Sequence, residues 1–168
     1  MPDSTREAEM LLAYLDSQRH HVLEIIEGLP DADLRRAVLP TGWSCLGMVQ
    51  HLAFDVERFW FRIVFSGELL DGPDDAWVVA PETPSGTVLD SYREEIEAAN
   101  AVIAGTDLET PPSNWPEERW PNWRLENMRQ LILHVMNETA CHAGHLDAAR
   151  ELIDGRTWMV LTDAGPTG

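Results

Sequence analysis

Three residues near the end of the chain, Glu138, His142 and His145, have the types and the spacing that bind a metal ion. Side chains four residues apart lie on one face of a helix, so Glu138 and His142 can bind one cation from a single helix. His142 and His145, three residues apart, are the alternative chelating pair. Imidazole and carboxylate ligands suit Zn, Ni, Fe or Mn and leave coordination positions open for water or substrate.

A third ligand has to come from another part of the chain, and His51 is the candidate. It lies outside the His20-His21 pair and outside the last helical segment. On a helical wheel His51 shares a narrow polar strip with Asp55, and such a strip suits an internal polar pocket and a solvent-exposed face equally well. Asp55 is therefore either a partner that orients His51 or an exposed carboxylate.

The remaining histidines fit a shared site less well. His134 and His142 are eight residues apart, about 12 Å along a helix axis. The heptad pattern of the same segment places His142 on the apolar seam and His134 at the rim of the bundle. His20 and His21 are predicted to lie at the surface.

Four long helical segments have to position these residues. Apolar residues recur at helical spacing over about 5–27, 44–65, 86–104 and 125–153. We find no strand pattern between them, so the sequence predicts an all-α protein, a four-helix bundle. It is expected to form a single domain over residues 1–168, with a C-terminal tail from about 156. The long connections before the third and fourth helices leave room for a crossover topology.

The connection between the third and fourth helices is unusually rich in tryptophan. Trp115, Trp120 and Trp123 lie there among four prolines. A connection of this length in a compact protein is typically functional, and its aromatic content predicts a folded lid on the bundle. A roof over a substrate pocket and structural packing beneath a loop are both open alternatives.

The charge balance excludes several classes of partner. The chain has 29 acidic and 12 basic side chains, and its formal net charge is −17. A negative surface repels nucleic acid and anionic lipid, so we expect neither a nucleic acid nor a membrane partner. Two cysteines, Cys45 and Cys141, are typical of small buried thiols in a reducing compartment, which predicts a cytoplasmic protein. A small-molecule substrate is the remaining expectation.

Several motifs resemble those of the DinB/YfiT-like superfamily. They are Gly42-Trp43-Ser44, Val49-Gln50-His51-Leu52, Glu57-Arg58-Phe59-Trp60 and the long closing motif from His134 to Gly155. Together they look most like the DUF664 (mini-circle protein) branch, and the resemblance covers nearly the whole chain. It implies a four-helix bundle with one divalent metal ion held by His51, Glu138 and His142. Position 138 is more usually histidine in that family, and His145 stands where relatives often carry glutamine, so His145 is a candidate extra or switched ligand.

The resemblance also implies a function. Characterised relatives include mycothiol-dependent and bacillithiol-dependent S-transferases and a maleylpyruvate isomerase. In such a site a metal ion binds the thiol of the cosubstrate and lowers its pKa. The resemblance therefore implies a metal-dependent S-transferase that uses mycothiol or a similar thiol on electrophilic small molecules, a detoxification activity. The alternative is a non-catalytic metal-containing stress-response or binding module. Relatives frequently dimerise, so a homodimer is a further expectation.

Overall fold

A computed structural model describes residues 3–158, and the side chains from residue 6 onward. Its helices are α1 (Asp3–Ile26), α2 (Asp31–Leu34), α3 (Cys45–His51), a π-helical stretch called here the π segment (Leu52–Phe65), α4 (Ser85–Ala104) and α5 (Met128–Asp154). Within these residues the extended pairing consists of one isolated antiparallel bridge, Ala37 to Ser44. The predicted all-α fold is confirmed.

Side-chain caps and a glycine set the ends of the two helices that carry the candidate site. The Ser44 hydroxyl accepts a hydrogen bond from a first-turn N–H of α3, and Asn127 caps α5 in the same way. Gly155 ends α5 with φ +78°, a left-handed conformation that glycine adopts at little cost. The predicted start of this helix at Leu125 was three residues early, because Asn127 is the cap; Leu125 itself is buried.

The second predicted helix is continuous but not uniform. It starts as α3 and continues at Leu52 with π-type hydrogen bonds, from an N–H to the carbonyl five residues earlier. At its end the Ser66 N–H donates to the Phe61 carbonyl. Hydrophobic periodicity did not predict this change, since the apolar residues of the segment surround most of the helix.

The long helices pack around one hydrophobic cluster. α1 lies along α5, and the π segment lies between α4 and α5. Leu15, Phe61, Tyr92 and Leu146, one from each of these elements, are fully buried in the cluster. Helices that are distant in the chain are thus neighbours in space, which confirms the four-helix bundle and explains its long connections. None of the helices among the described residues is long and apolar enough to span a membrane.

The first long connection, residues 66–84, is fastened to α3. Gln50 is buried and donates from Nε2 to the carbonyls of Ala76 and Val78, which holds Trp77 between them. Gly47 makes this approach possible, because a Cβ atom there would lie 2.3 Å from the Trp77 carbonyl oxygen. Trp77 is therefore held against the end of α3 that carries His51.

The second long connection, residues 105–127, folds onto the π segment as predicted. The backbone N–H groups of Ser113 and Asn114 donate to the carbonyls of Phe65 and Val64. Its first tryptophan, Trp115, is only 9% exposed. The connection is thus a packed layer over one side of the bundle.

The predicted tail, from about 156, is described only as far as Trp158. The Trp158 indole stacks on His21, with ring centroids 3.6 Å apart, and its Nε1 donates to Glu24. The rest of the predicted tail, residues 159–168, lies outside the described residues.

Candidate functional site

A cavity of about 530 Å³ lies between the π segment, α5 and the two long connections. Two histidines and two carboxylates line it, His51, Asp55, His134 and Glu138, together with five aromatic side chains and an arginine. The helices bring these residues together from parts of the chain some 80 residues apart. A cavity of this size accommodates a drug-sized molecule.

Two neighbours fix the orientation of the His51 ring, a carboxylate at its Nδ1 edge and an indole stacked on its face. Its Nδ1 lies 2.9 Å from Oδ2 of Asp55, and its ring stacks on Trp77 with centroids 4.0 Å apart. An Nδ1–H that donates to the carboxylate leaves the Nε2 lone pair available to a ligand. The geometry is that of an oriented imidazole, and of the two alternatives for Asp55 it favours the orienting partner.

Glu138 and His142 approach His51 from α5. The rings of His51 and His142 lie edge to face with centroids 5.1 Å apart. Glu138 Oε2 is 3.7 Å from His142 Nε2, which is longer than a hydrogen bond. Burial, and the charge that His51 and His145 would carry when protonated, lower the pKa of His142 to about 4. His142 is therefore neutral at neutral pH and keeps a lone pair for a ligand.

The π geometry decides which residues share the cavity with His51. On an α-helical wheel of about 100° per residue, Trp60 lies about 180° from His51. In the structure Trp60 lines the same cavity as His51 and Asp55, because a π helix aligns residues four and five apart. Arg58, seven residues after His51, lies within about 20° of it on the α-helical wheel, but in the structure its side chain pairs with Glu95 at 2.6 Å and does not line the cavity. Sequence reasoning thus missed Trp60 as a site residue. The available signal was its spacing from His51: nine residues are about two turns of a π helix, so an aromatic residue at this position falls on the His51 face only if the helix is of the π type.

The tryptophans of the second connection divide between the two predicted roles. Trp120 stacks on Trp60, with centroids 5.2 Å apart and an interplanar angle of 19°. Trp123 lies across the edge of the same indole, with centroids 6.0 Å apart. Both line the cavity, whereas Trp115 packs behind them. The connection therefore supplies a wall of the cavity as well as structural packing.

Two histidines of α5 lie in other positions than the heptad pattern predicts. The heptad pattern puts His145 in the row of positions beside the apolar seam, where a side chain borders the core. In the structure His145 is exposed, with its ring centroid 5.7 Å from that of His142. His134, expected at the rim, is half-buried in the cavity, 4.6 Å from the Trp60 ring and 5.3 Å from that of Trp123. Burial lowers the pKa of His134. The prediction failed because the tryptophan-rich connection covers the face of α5 that carries His134.

Three single-residue expectations outside the cavity were also tested by the structure. His21, predicted at the surface, is buried and its Nε2 lies 2.7 Å from Oδ1 of Asp147. Cys45 is buried as predicted, and burial raises its pKa to about 11. Cys141 is exposed, because it lies on the outer face of α5, so the prediction of a buried thiol was wrong there.

Comparison with known proteins identifies the family. A match to the mycothiol-S-transferase family covers residues 10–155, which include α2 to α5, most of α1 and all the cavity residues. The chain belongs to the mycothiol-S-transferase family. This is a DinB-like family, so the superfamily resemblance is confirmed. A search of curated proteins gave no match.

The side chains at the cavity of this family member are of the types that bind a divalent metal ion, but their donor atoms are too far apart to coordinate one as they stand. No group of three or more His, Cys, Asp or Glu side chains within residues 3–158 is already spaced to hold an ion. Nδ1 of His142 is nevertheless buried without a hydrogen-bond partner among these residues, which is costly unless something binds the ring. Two imidazoles and a carboxylate form a ligand set typical of Zn, Ni, Fe or Mn. A bound ion would have to draw His51, Glu138 and His142 closer together.

Proposed function

We propose that this protein is a metal-dependent S-transferase that transfers mycothiol, or a similar low-molecular-weight thiol, to electrophilic small molecules. Membership of the mycothiol-S-transferase family supports the thiol and the reaction type. The observation that carries the proposal is the convergence of His51, Glu138 and His142 beside a cavity of about 530 Å³. Metal ligands close together would hold the ion that binds the thiol, and the adjacent cavity has room for the acceptor.

His51, Glu138 and His142 are the proposed ligands of one divalent ion, Zn, Ni, Fe or Mn. Asp55 orients His51, since a hydrogen bond from Nδ1–H to the carboxylate selects the neutral tautomer in which Nε2 carries the lone pair. His142 contributes a neutral ring, because burial lowers its pKa to about 4. When bound, the ion lowers the pKa of a coordinated thiol, so that the thiolate forms near neutral pH. His145 remains a candidate extra ligand, although its side chain is exposed.

The aromatic side chains bind the acceptor and limit access of water. Trp60, Trp120 and Trp123 present apolar faces and edges to the cavity, so an apolar acceptor gains free energy by leaving water. Less water in the cavity also means less competition with the thiolate for the electrophile. His134 packs against this wall and adds one polar atom to it.

The metal site is tested by elemental analysis of the purified protein and four variants. We expect stoichiometric metal in the wild type and loss of most of it in His51→Ala and His142→Ala. His134→Ala, on the same helix and in the same cavity, and His20→Ala, exposed on α1, are the matched controls and keep the metal. Wild-type protein that stays without metal after incubation with Zn, Ni, Fe and Mn contradicts the site.

The reaction is tested with an aryl halide and three thiols, mycothiol, bacillithiol and glutathione. We expect metal-dependent conjugation that is fastest with mycothiol and is lost with the metal in His142→Ala. No metal-dependent conjugation with any thiol contradicts the transferase proposal. Metal retention and saturable ligand binding without conjugation would favour the alternative, a non-catalytic metal-containing stress-response or binding module.

The remaining expectations are proposals of lesser detail. We place the chain in the DUF664 branch on the motifs alone, and treat residues 1–168 as a single domain because the described helices share one hydrophobic cluster. We propose a cytoplasmic location on the two free cysteines, Cys45 and Cys141, and a detoxification role on the proposed chemistry. A homodimer is checked by sedimentation equilibrium.

A further inference from the structure

Arg119 lines the cavity and lacks a carboxylate partner among the described residues. Its guanidinium carbon lies 4.7 Å from the centre of the Trp120 ring and 5.5 Å from that of Phe59. Arg124, five residues on, also lies over a tryptophan of this cluster, but it pairs with Glu117 at 2.7 Å. The chain has 29 acidic side chains, so a carboxylate partner is the usual expectation for an arginine at a cavity. Arg119 is unusual because it contacts aromatic rings instead.

The contacts of Arg119 leave its hydrogen-bond donors available. Arginine carries five N–H donors in the plane of the guanidinium, and an aromatic face stabilises the cation without using them. These donors form a fork that matches a carboxylate. Trp120 and Phe59 thus hold a carboxylate-binding group at the cavity wall. Arg119 is exposed, so its donors face water and are free to bind a carboxylate that enters the cavity.

The charges of the cavity are separated along the π segment. His51 and Asp55 lie at its start, with Glu138 beside them, whereas Phe59, which carries Arg119 over its ring, lies two helical turns further on. At the first end the two carboxylates, Asp55 and Glu138, offset the charge of a bound divalent ion, so Arg119 at the second end is the group that attracts an anion. A ligand with one negative group is therefore oriented, with its uncharged end towards His51. The walls between the two ends are tryptophan rings, which favour a planar aromatic molecule.

We propose that Arg119 selects an aromatic acceptor that carries a carboxylate, and that it directs the electrophilic carbon of this acceptor towards His51, Glu138 and His142. The inference rests on the proposed function and deepens it by naming the class of acceptor. In the transfer, the thiolate sulfur forms a bond to the carbon that bears the leaving group. The leaving group departs with its bonding electron pair, and the proton of the thiol passes to solvent.

Binding of two unreactive probes tests the proposal without any thiol. 2-Naphthoate and 2-naphthamide have nearly the same shape and differ in charge, and isothermal titration calorimetry gives the affinity of each. We expect the wild type to bind the carboxylate more tightly, and Arg119→Gln to lower the affinity for the carboxylate about tenfold and the affinity for the amide little. Arg119→Lys keeps the charge but not the fork, so it should give an intermediate affinity. Arg124→Gln, a matched control over the same tryptophan cluster, should keep the wild-type preference.

Three binding results overturn the proposal. These are equal binding of both probes by the wild type, an Arg119→Gln variant that keeps the preference for naphthoate, or an Arg124→Gln variant that loses it to the same extent. The second result would mean that the carboxylate binds elsewhere, for example to a metal ion at His51 and His142. If conjugation fails with every thiol while the Arg119-dependent preference persists, the proposed function is wrong and the anion site stands. If conjugation is equally fast with neutral and carboxylated aryl halides, the proposed function stands and Arg119 does not select the acceptor.

Discussion

Two clusters of charged and polar groups lie at the inner and outer faces of the π segment, and they differ in how many of their polar atoms have hydrogen-bond partners. On the inner face, Glu57 is fully buried and accepts two hydrogen bonds from Arg19, at 2.7 and 2.6 Å. Nη1 of Arg19 donates to Asp16 and to Asn100, each at 2.7 Å. Burial raises the pKa of Glu57 and by itself would lower that of Arg19, but their mutual attraction opposes both effects and keeps the Arg19 pKa raised.

On the outer face the polar groups are incompletely paired. Glu138 and His142 stand 3.7 Å apart, and Nδ1 of His142 has no partner among the described residues. His51 uses one ring nitrogen on Asp55 and leaves the other for a ligand. The comparison teaches that Arg19 and Glu57 are paired through both carboxylate oxygens and stabilise the bundle, although the buried Tyr92 hydroxyl beside them has no partner among the described residues. In the outer cluster it is ring nitrogens of the proposed ligands His51 and His142 that stay available to a ligand.

Removal of the buried Glu57 carboxylate should cause the largest change, a loss of stability at the inner cluster. Glu57→Ala leaves the buried Arg19 charge with only Asp16, whose carboxylate is 45% exposed, as a counter-charge, so we expect the free energy of unfolding to fall by about 3–5 kcal/mol. Urea denaturation measures it. Glu94→Ala, an exposed position on α4, is the control and should change stability by less than about 0.5 kcal/mol. A Glu57→Ala variant as stable as the control would show that the inner cluster does not stabilise the bundle.

A methyl group at Gly47 should have a smaller effect and act on the outer face. The Cβ of Gly47→Ala would lie 2.3 Å from the Trp77 carbonyl oxygen, so the connection that carries Trp77 has to move away from His51. We expect a loss of about 1–3 kcal/mol in stability and a shift of the His51 ring resonances in NMR spectra as the stacked indole moves. At Gly86 an added methyl meets open space, so Gly86→Ala is the control. Unchanged His51 resonances in Gly47→Ala would mean that Trp77 does not depend on this contact.

Neutralisation of Asp55 should have the smallest effect and sharpen the comparison most. Asp55→Asn weakens the bond that orients His51, and we expect the proposed metal affinity to fall about tenfold, with little change in stability because Asp55 is 52% exposed. Competition with a chelator measures the affinity. Asp90→Asn, an exposed carboxylate on α4, controls for the change in net charge. Equal metal affinity in the two variants would remove Asp55 from the site.

Much of the fold could be predicted from the sequence, because its signals are local. Ser44 as a helix cap, and Gly155 as a helix stop, act through bonds within one turn, and the structure has both. The spacing of Glu138 and His142 is likewise a property of one helix. The late start of α5 shows the limit of this reasoning, since Leu125 is apolar and buried but lies outside the helix.

The composition of the cavity could not be predicted in the same way, because it depends on which surfaces meet. His134 looked like a rim residue until the connection of residues 105–127 covered it. An α-helical wheel places Trp60 on the side away from His51, but the π-helical hydrogen bonds of this segment bring both to the same cavity. Both are non-local effects, since hydrogen-bond register and loop placement follow from packing against other elements.

The sequence by itself therefore determined an acidic all-α bundle, its helix ends and the candidate ligands His51, Glu138 and His142 as residue types at helical spacing. Only the tertiary structure decided which polar groups are saturated by neighbours and which face the cavity with bonding capacity left. The physical reason is that spacing along one helix is set by bonds within a turn, whereas the partners of Glu57, His142 and Arg119 are set by contacts between elements far apart in the chain.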